Sequence, residues 1–174
     1  FTEHRSSGLQ AEDRGRFSGI EKNIAYLKEL GINTIELMPF YEFNESFKRG
    51  RFEEIPKEKN VALPAPENDR VNYWGFTGDA LRFSVKNAFG GVEGLRSLVN
   101  TLHKNGMELI CDMYFSGKED TFYVLSVLRY YAMNIGVDGF HIIGYAPLKE
   151  ICADPFIKDV KLWADSFPAG TGRN

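Results

Sequence analysis

Three polar side chains interrupt runs of apolar residues in this sequence, and each could take part in acid–base chemistry or bind a ligand. Asp112 stands at the end of one apolar run, and Glu36 lies inside another. A carboxylate in an apolar setting needs a partner, because burying an unpaired charge is costly. Asp112 could contact a polar ligand, but we favour a structural role in which it pairs with an arginine or caps backbone amides. We expect Glu36 to find its partner in the interior of the fold.

The third of these side chains, His141, has the residue type of a general base or a metal ligand. It lies within a run that predicts a buried strand, and the sequence shows no cysteine or carboxylate partner for it. We therefore expect a hydrogen-bonded interior histidine. Cys111 and Cys152 are far apart and lack metal-ligand spacing. The sequence predicts no metal site, no disulfide and no cofactor.

The elements that must position these residues repeat in the order helix, glycine, strand. The spacing of apolar residues predicts helices that end near Gly31, Gly106 and Gly136, each followed by a strand. A capping box of Ser18 and Glu21 is predicted to begin the first helix, and Asp120 to cap the third. A short helix, Pro147 to Ala153, precedes the last strand. The predicted strands are Ile32 to Met38, Met107 to Met113, Val137 to Ile143 and Val160 to Ala164.

Strands that alternate with helices, each strand a nearly continuous apolar run, predict a parallel sheet covered by helices, and hence the α/β class. The repeat length fits either a (β/α) barrel or a doubly wound sheet, and the periodicity does not separate them. A (β/α)8 barrel takes roughly 250 residues, so in the barrel interpretation this chain is part of one. We expect one partial-barrel domain over residues 1–174, with a long irregular loop at about 40–91. Its open sheet edges would be covered by the rest of a parent chain or by self-association.

Composition and charge exclude several classes of protein. The chain has 174 residues, with 21 lysines and arginines against 24 acidic residues and a net charge of −3. Two large domains and a nucleic-acid partner are therefore not expected. No apolar stretch is long enough to span a membrane, and the N-terminus lacks the basic, apolar and cleavage regions of a signal peptide. This says little about the location of a longer parent chain, for which we favour the cytoplasm. Because the chain begins at Phe1 rather than methionine, we expect it to belong to a longer polypeptide.

Several sequence blocks carry a family resemblance and cover nearly the whole chain. They are Phe17 to Pro39, Asn72-Tyr-Trp-Gly-Phe76, Leu102 to Gly106 with Leu109 to Asp112, Val137 to Phe140, and Asp154-Pro155 with Val160 to Leu162. In this order they resemble the α-amylase superfamily of glycoside hydrolases (family 13), and within it the pullulanase, isoamylase and glycogen-debranching branch. The resemblance implies a partial (β/α)8 TIM barrel, roughly strands 2 to 5.

The resemblance also implies which positions should carry the chemistry. Retaining α-glycosidases use a carboxylate nucleophile and a carboxyl acid roughly 5 to 5.5 Å apart. The nucleophile position is Ile143, which cannot form a glycosyl-enzyme ester, and the neighbouring arginine of the family is His141. The acid position is Asp165, one methylene shorter than the family's glutamate, and the sugar-contacting histidine is Gly117. These departures imply a catalytically defective relative.

An aromatic block gives the resemblance its binding residues. An aromatic ring can cover the apolar C–H face of a sugar. Tyr73, Trp74 and Phe76, with Asp112 and His141, are therefore the candidate contacts for an α-glucan. Phe76 replaces the family's tyrosine and keeps its stacking face. For Trp74, a structural role is the alternative to stacking on a sugar.

Three functions remain open at this level. The first is a non-catalytic relative of debranching enzymes that at most binds α-glucan. The second is an active hydrolase or transglycosylase whose catalytic residues are misaligned here or lie outside the chain. The third is a structural or assembly piece with no carbohydrate ligand. Calcium is not expected, because the insertion that carries its ligands in the family is missing.

Overall fold

The computed structural model describes residues 2–43, 45–47, 70–72, 74–76, 83–165 and 167–168. Its centre is a four-stranded parallel sheet in the order β1 (Thr34–Leu37), β4 (Glu108–Ser116), β5 (Gly139–Tyr145) and β6 (Lys161–Ala164). The two remaining strands, β2 (Ser46–Phe47) and β3 (Arg70–Val71), form a small antiparallel pair. The α/β class predicted from the sequence is confirmed.

Neighbours in the main sheet follow one another along the chain without a reversal of order. A doubly wound sheet contains a point where strand order reverses, whereas a barrel adds strands in one direction. The sheet therefore has the arrangement of a barrel section, which the apolar period alone did not distinguish. The division of the chain into one domain over residues 1–174 stays a prediction.

Helices cover one face of the sheet. They are α1 (Phe17–Lys22), α2 (Ile24–Glu29), α3 (Gly91–Lys104), α4 (Thr121–Tyr130) and α5 (Leu148–Ala153). Residues Arg5–Ser7, Ala11–Asp13 and Asn87–Phe89 form single 3-10 turns. The inner side of α3 contributes Leu95, Leu98 and Leu102, which are inaccessible to solvent. They pack into the same core as the helix-facing side chains of β4, so burial of α3 holds the sheet and helix layers together.

The first predicted helix is divided in two. Its capping box was wrong: Ser18 Oγ donates to Asp13 Oδ1 at 2.8 Å, and Arg16 precedes the helix without a side-chain cap. The helix is interrupted at Asn23, which lies between α1 and α2 and whose side-chain amide donates a hydrogen bond to the carbonyl of Gly19 at 2.8 Å. A buried acidic partner outside the helix thus replaces the local cap.

The other helix signals match the structure more closely. The Asp120 carboxylate accepts a hydrogen bond from the amide of Tyr123 at 2.8 Å, which confirms the predicted cap. After Tyr130 the helix widens into one π-helical turn and ends at Gly136, whose φ is 87°. A left-handed φ is easily adopted only by glycine, which explains why the helix stops there.

Part of the predicted irregular loop at about 40–91 is ordered against the core. Tyr41 is fully buried and pairs with Val85, and its hydroxyl accepts a hydrogen bond from the amide of Tyr114 at 3.0 Å. Residues 48–69 and 77–82, which include the charged run Lys48 to Lys59, lie outside the described residues. The described start and end of the loop therefore run beside the end of β4.

No helix among the described residues has the length and apolar character needed to cross a lipid bilayer.

Candidate functional site

The sheet has one face turned to the helices and one face that we call the open face. Side chains alternate between the two faces along a strand. On β4, Leu109, Cys111, Met113 and Phe115 are inaccessible to solvent and pack into the core under the helices. Asp112 must then point to the opposite, open face.

The register of the sheet brings three polar residues together on the open face. Asp112 is paired with His141, and Glu36 is paired with Ile110, two residues before Asp112 on the same strand face. Trp163 is level with His141 on β6. The three predicted strands that contain Glu36, Asp112 and His141 are therefore adjacent, with these residues at neighbouring levels.

The side chains of Glu36, Asp112 and His141, which we call the open-face cluster, are in direct contact. The Nδ1 atom of His141 lies 2.8 Å from Glu36 Oε1 and 3.5 Å from Asp112 Oδ1. One ligand atom from each of the three residues lies within 4.8 Å of the others. The Asp112 side chain is 8% exposed, whereas those of His141 and Glu36 are 29% and 44% exposed. The cluster is thus open to solvent on one side only.

This geometry corrects the expectation for His141. The sequence indicated an interior histidine without carboxylate partners, but two carboxylates contact its Nδ1. Glu36 does have a partner, His141, on the open face, although the Glu36 side chain is half exposed rather than buried. Asp112 contacts Glu36 and His141, and no described arginine or backbone amide contacts it.

The two carboxyl groups of the cluster have displaced pKa values. Burial, and then the hydrogen bond and charge of Glu36, raise the pKa of Asp112 to about 7. The hydrogen bond with Asp112 is the main cause that lowers the pKa of Glu36, and His141 lowers it further. Below about pH 7 the proton is therefore favoured on Asp112, whose hydroxyl then donates a hydrogen bond to the Glu36 carboxylate, because two adjacent carboxylates are not both charged at low cost. The pair can store one proton near neutral pH.

The positions that the resemblance assigns to catalysis lie beyond this cluster, nearer the carboxyl ends of the strands. Ile143 is half-buried on β5 and level with Tyr114. The last registered pair of β5 and β6 is Ile142 with Ala164. Ile143 and Asp165 directly follow that pair, and Asp165 is exposed in a bend. The two positions therefore adjoin across the sheet, with a hydrocarbon side chain in one and a carboxyl in the other.

The aromatic candidates are separated by their exposure. The ring of Phe76 is half-buried and meets Tyr114 edge to face, with centroids 6.3 Å apart. Trp74 is 65% exposed. The Asn72 side chain accepts hydrogen bonds from the amides of Trp74 and Gly75, both at 3.1 Å. Tyr73 lies outside the described residues.

Gly75 explains how the segment from Trp74 to Phe76 reaches Tyr114 on β4. Its φ is 75°, and a Cβ there would lie 2.7 Å from atoms of Phe43 and Pro39. A side chain at this position would therefore be both strained and obstructed. The glycine lets the segment pack closely enough for Phe76 to reach Tyr114.

Sequence reasoning singled out each member of the open-face cluster but missed that they contact one another. Glu36 and His141 are 105 residues apart. The available signal was a polar residue within the apolar run of each of three successive strands. That signal becomes readable only when the register is known.

Comparisons with known proteins agree with the resemblance. The family model described as the catalytic domain of alpha amylase matches residues 2–127. Isoamylase 3, a chloroplast protein of Oryza sativa subsp. japonica, is 32% identical over 125 residues, which are 67% of this chain and 14% of that protein. The chloroplast isoamylase 1 of Arabidopsis thaliana is 35% identical over 122 residues, 65% of this chain and 14% of that protein. The chain spans about a seventh of the length of these relatives.

Solved structures support the fold. The alpha-amylase of Geobacillus thermoleovorans, crystallised with acarbose, superposes with a TM-score of 0.61 at 15% identity, over 92% of this chain and 43% of that one. A debranching enzyme of Nostoc punctiforme superposes with a TM-score of 0.60 at 13% identity, over 89% of this chain and 40% of that one. At these identities the likeness concerns the fold, and it confirms the predicted partial (β/α)8 barrel.

Proposed function

Because the chain belongs to the α-amylase catalytic-domain family and has isoamylase-like homologues, we propose that it is part of a catalytically defective relative of the debranching enzymes. In this proposal the barrel section keeps an α-glucan contact surface and lacks hydrolytic chemistry. The observation that carries the proposal is Ile143 on β5, the residue to which the family resemblance assigns the nucleophile position.

The loss of the nucleophile is the main chemical reason. A retaining glycosidase forms a covalent bond between a carboxylate and the sugar, which a hydrocarbon side chain cannot form. None of the residues of β5 has a carboxyl group. Asp138, which directly precedes the strand, is hydrogen-bonded to His103 and to the amide of Leu109. A neighbouring residue on β5 therefore offers no substitute.

The acid position supports the same proposal. Asp165 directly follows β6 and keeps a carboxyl group, but it is one methylene shorter than glutamate. A displacement of about 1 Å in a catalytic group can reduce a rate about a hundredfold. Even with a nucleophile supplied from elsewhere, proton donation from this position would be inefficient.

The aromatic residues support the binding half of the proposal. Phe76 and Tyr114 are in edge-to-face contact where the segment after β3 meets β4, and Trp74 is exposed nearby in sequence. Rings that are held by such contacts lose little conformational freedom when a sugar stacks on them. Asp112 and His141 on the open face supply polar groups that could hydrogen-bond sugar hydroxyls.

Calorimetric titration with maltooligosaccharides and with a branched glucan tests the proposal. We expect saturable binding without release of reducing sugar, and up to about tenfold weaker binding for Phe76→Ala, because it loses the stacking face. Phe122→Ala is the matched control, since Phe122 is 75% exposed on α4. Hydrolysis by the unaltered chain would support the active-enzyme alternative. The absence of saturable binding would overturn the glucan proposal and leave the assembly role.

A further inference from the structure

We propose that Glu36 Oε1, Asp112 Oδ1 and His141 Nδ1 together bind a divalent first-row transition-metal ion. The three residues come from successive strands of the sheet, and one ligand atom of each lies within 4.8 Å of the others. This inference goes beyond the proposed glucan binding, with which it shares Asp112 and His141, and it is tested by a separate ligand. It also departs from the absence of a metal site expected from the sequence.

An unpartnered buried atom points toward a ligand at this position. Asp112 Oδ1 is buried without a hydrogen-bond partner, and its side chain is only 8% exposed. An isolated buried carboxylate oxygen is costly, because it has lost its water and gained no donor in return. The atom faces the imidazole nitrogen of His141 at 3.5 Å. A cation at this position would displace the proton between His141 Nδ1 and Glu36 and would give Asp112 Oδ1 the partner that it lacks.

The distances between the donor atoms are close to those of a coordination shell. Ligand atoms about 2.0 to 2.2 Å from a tetrahedral ion are separated from one another by about 3.3 to 3.6 Å. The Asp112 and His141 atoms, at 3.5 Å, already have this separation. The Glu36 and His141 atoms, at 2.8 Å, must move apart slightly. Glu36 can do so because its side chain is half exposed and unbranched.

The ligand set selects the class of ion. One imidazole nitrogen and two carboxylate oxygens suit Zn²⁺, Mn²⁺ and their neighbours, whereas Ca²⁺ and Mg²⁺ prefer oxygen ligands only. Three protein ligands leave at least one position open for water or for a hydroxyl group of a bound molecule. Among first-row ions, we expect tighter binding of Zn²⁺ than of Mn²⁺.

The strand positions make the arrangement rigid on two sides. Asp112 and His141 are registered partners within the long β4 and β5 pairing. Gly144, two residues after Ile142, keeps that pairing close, since a Cβ there would lie 2.3 Å from the carbonyl oxygen of Phe115. Two of the three ligands are thus held in place by the sheet before any ion arrives, which reduces the entropy lost on binding.

Calorimetric titration of Zn²⁺ into the tag-free full chain, after treatment with a chelator, tests the proposal. We expect one saturable site, with at least about tenfold weaker binding for Asp112→Asn and His141→Asn and a smaller loss for Glu36→Gln. His103→Asn is the matched control. His103 also contacts a carboxylate, Asp138, at 2.9 Å, but belongs to a two-residue pair at the other end of the sheet.

A second measurement keeps the test decisive if a variant folds poorly. Ring resonances of the three histidines, recorded with and without Zn²⁺ on the unaltered chain, should show His141 perturbed and His4 and His103 unchanged at one equivalent. No saturable site, or equal affinity of the His141 and His103 variants, would overturn the proposal. Neither result bears on glucan binding, which is measured separately with chelator present.

Discussion

The Nδ1 atom of His141 lies 2.8 Å from Glu36 Oε1, although the two residues are 105 positions apart and on strands that are not neighbours in the sheet. The strand between them, β4, contributes Asp112 to the same cluster. Three strands thus contribute to one polar centre on the open face of the sheet, opposite the apolar core. Its proton and ligand chemistry should dominate the pH response of this face.

Stability should decrease as the pH rises through the cluster's titration range. The pKa of Asp112 is raised to about 7 by burial and by Glu36, against about 3.9 in an unfolded chain. Between these values the folded state binds more protons, so the free energy of unfolding decreases from about pH 4 to about pH 7. Glu36, with its lowered pKa, acts in the opposite sense only below about 4.3. His141, Tyr41 and the neighbouring thiol of Cys111 also interact electrostatically with this carboxyl.

Asp112→Asn should remove that dependence, because an amide mimics the protonated acid and can still donate to Glu36. Urea unfolding at about pH 5 and about pH 8 measures the effect. The unaltered chain should lose stability between these pH values, and the variant should lose clearly less. Parallel losses in both proteins would contradict the assignment of the proton to Asp112.

Introducing a carboxylate at the nucleophile position should produce hydrolysis of an activated substrate. Ile143→Asp places a carboxyl group beside Asp165, and a glucosyl fluoride needs little proton donation to its leaving group. We expect slow fluoride release by this variant and none by the unaltered chain. Ile143→Asn has the same size without a nucleophile and serves as control. Equal release by both variants would show that residue 143 is not aligned as the family resemblance implies.

Gly144→Ala should destabilise the sheet at the end of β5. The glycine has a φ of 83°, and a Cβ would meet the Phe115 carbonyl at 2.3 Å, so strain and a clash combine. We expect a loss of more than about 2 kcal/mol in the free energy of unfolding. Gly106→Ala, with a φ of 69° and no atom within 4 Å of the new Cβ, should cost only about 1 kcal/mol. Thermal unfolding of both variants checks the difference; similar melting temperatures would contradict it.

Removing the buried ion pair between Arg129 and Asp154 should be costly. Both Nε and Nη2 of Arg129 donate to Asp154 Oδ2, at 2.9 and 2.6 Å, and the Asp154 side chain is fully buried. Asp154→Ala leaves the arginine without its partner, for which we expect about 2 to 3 kcal/mol, reduced because Arg129 is one-third exposed.

The surface pair Lys161 with Glu108 is the matched comparison for that ion pair. Both side chains are more than one-third exposed, so Glu108→Gln should cost less than about 1 kcal/mol. Denaturant titration of the two variants gives the comparison. A larger loss for Glu108→Gln than for Asp154→Ala would overturn the ranking by burial.

Element types were more predictable than their boundaries. The Asp120 cap of α4 and the glycine that ends the π-helical turn after it are local signals that depend on backbone geometry, and both appear as predicted. The predicted strand Met107 to Met113 instead runs from Glu108 to Ser116. Its extra length comes from pairing with β5 as far as Tyr145, which is a nonlocal contact. The predicted capping box was wrong for the same reason: the Ser18 hydroxyl donates its hydrogen bond to Asp13, which lies outside the helix.

The sequence by itself determined the α/β class and the family, because these depend on residue type and on local periodicity, and it predicts that residue 143 lacks the carboxylate of a nucleophile. Only the tertiary structure decided that the strand order of the sheet does not reverse and that the side chains of Glu36, Asp112 and His141 are in contact. The physical reason is strand register: a shift of one residue would turn any of the three side chains to the helix-covered face. Register is set by packing across the whole sheet, and no local pattern in the chain records it.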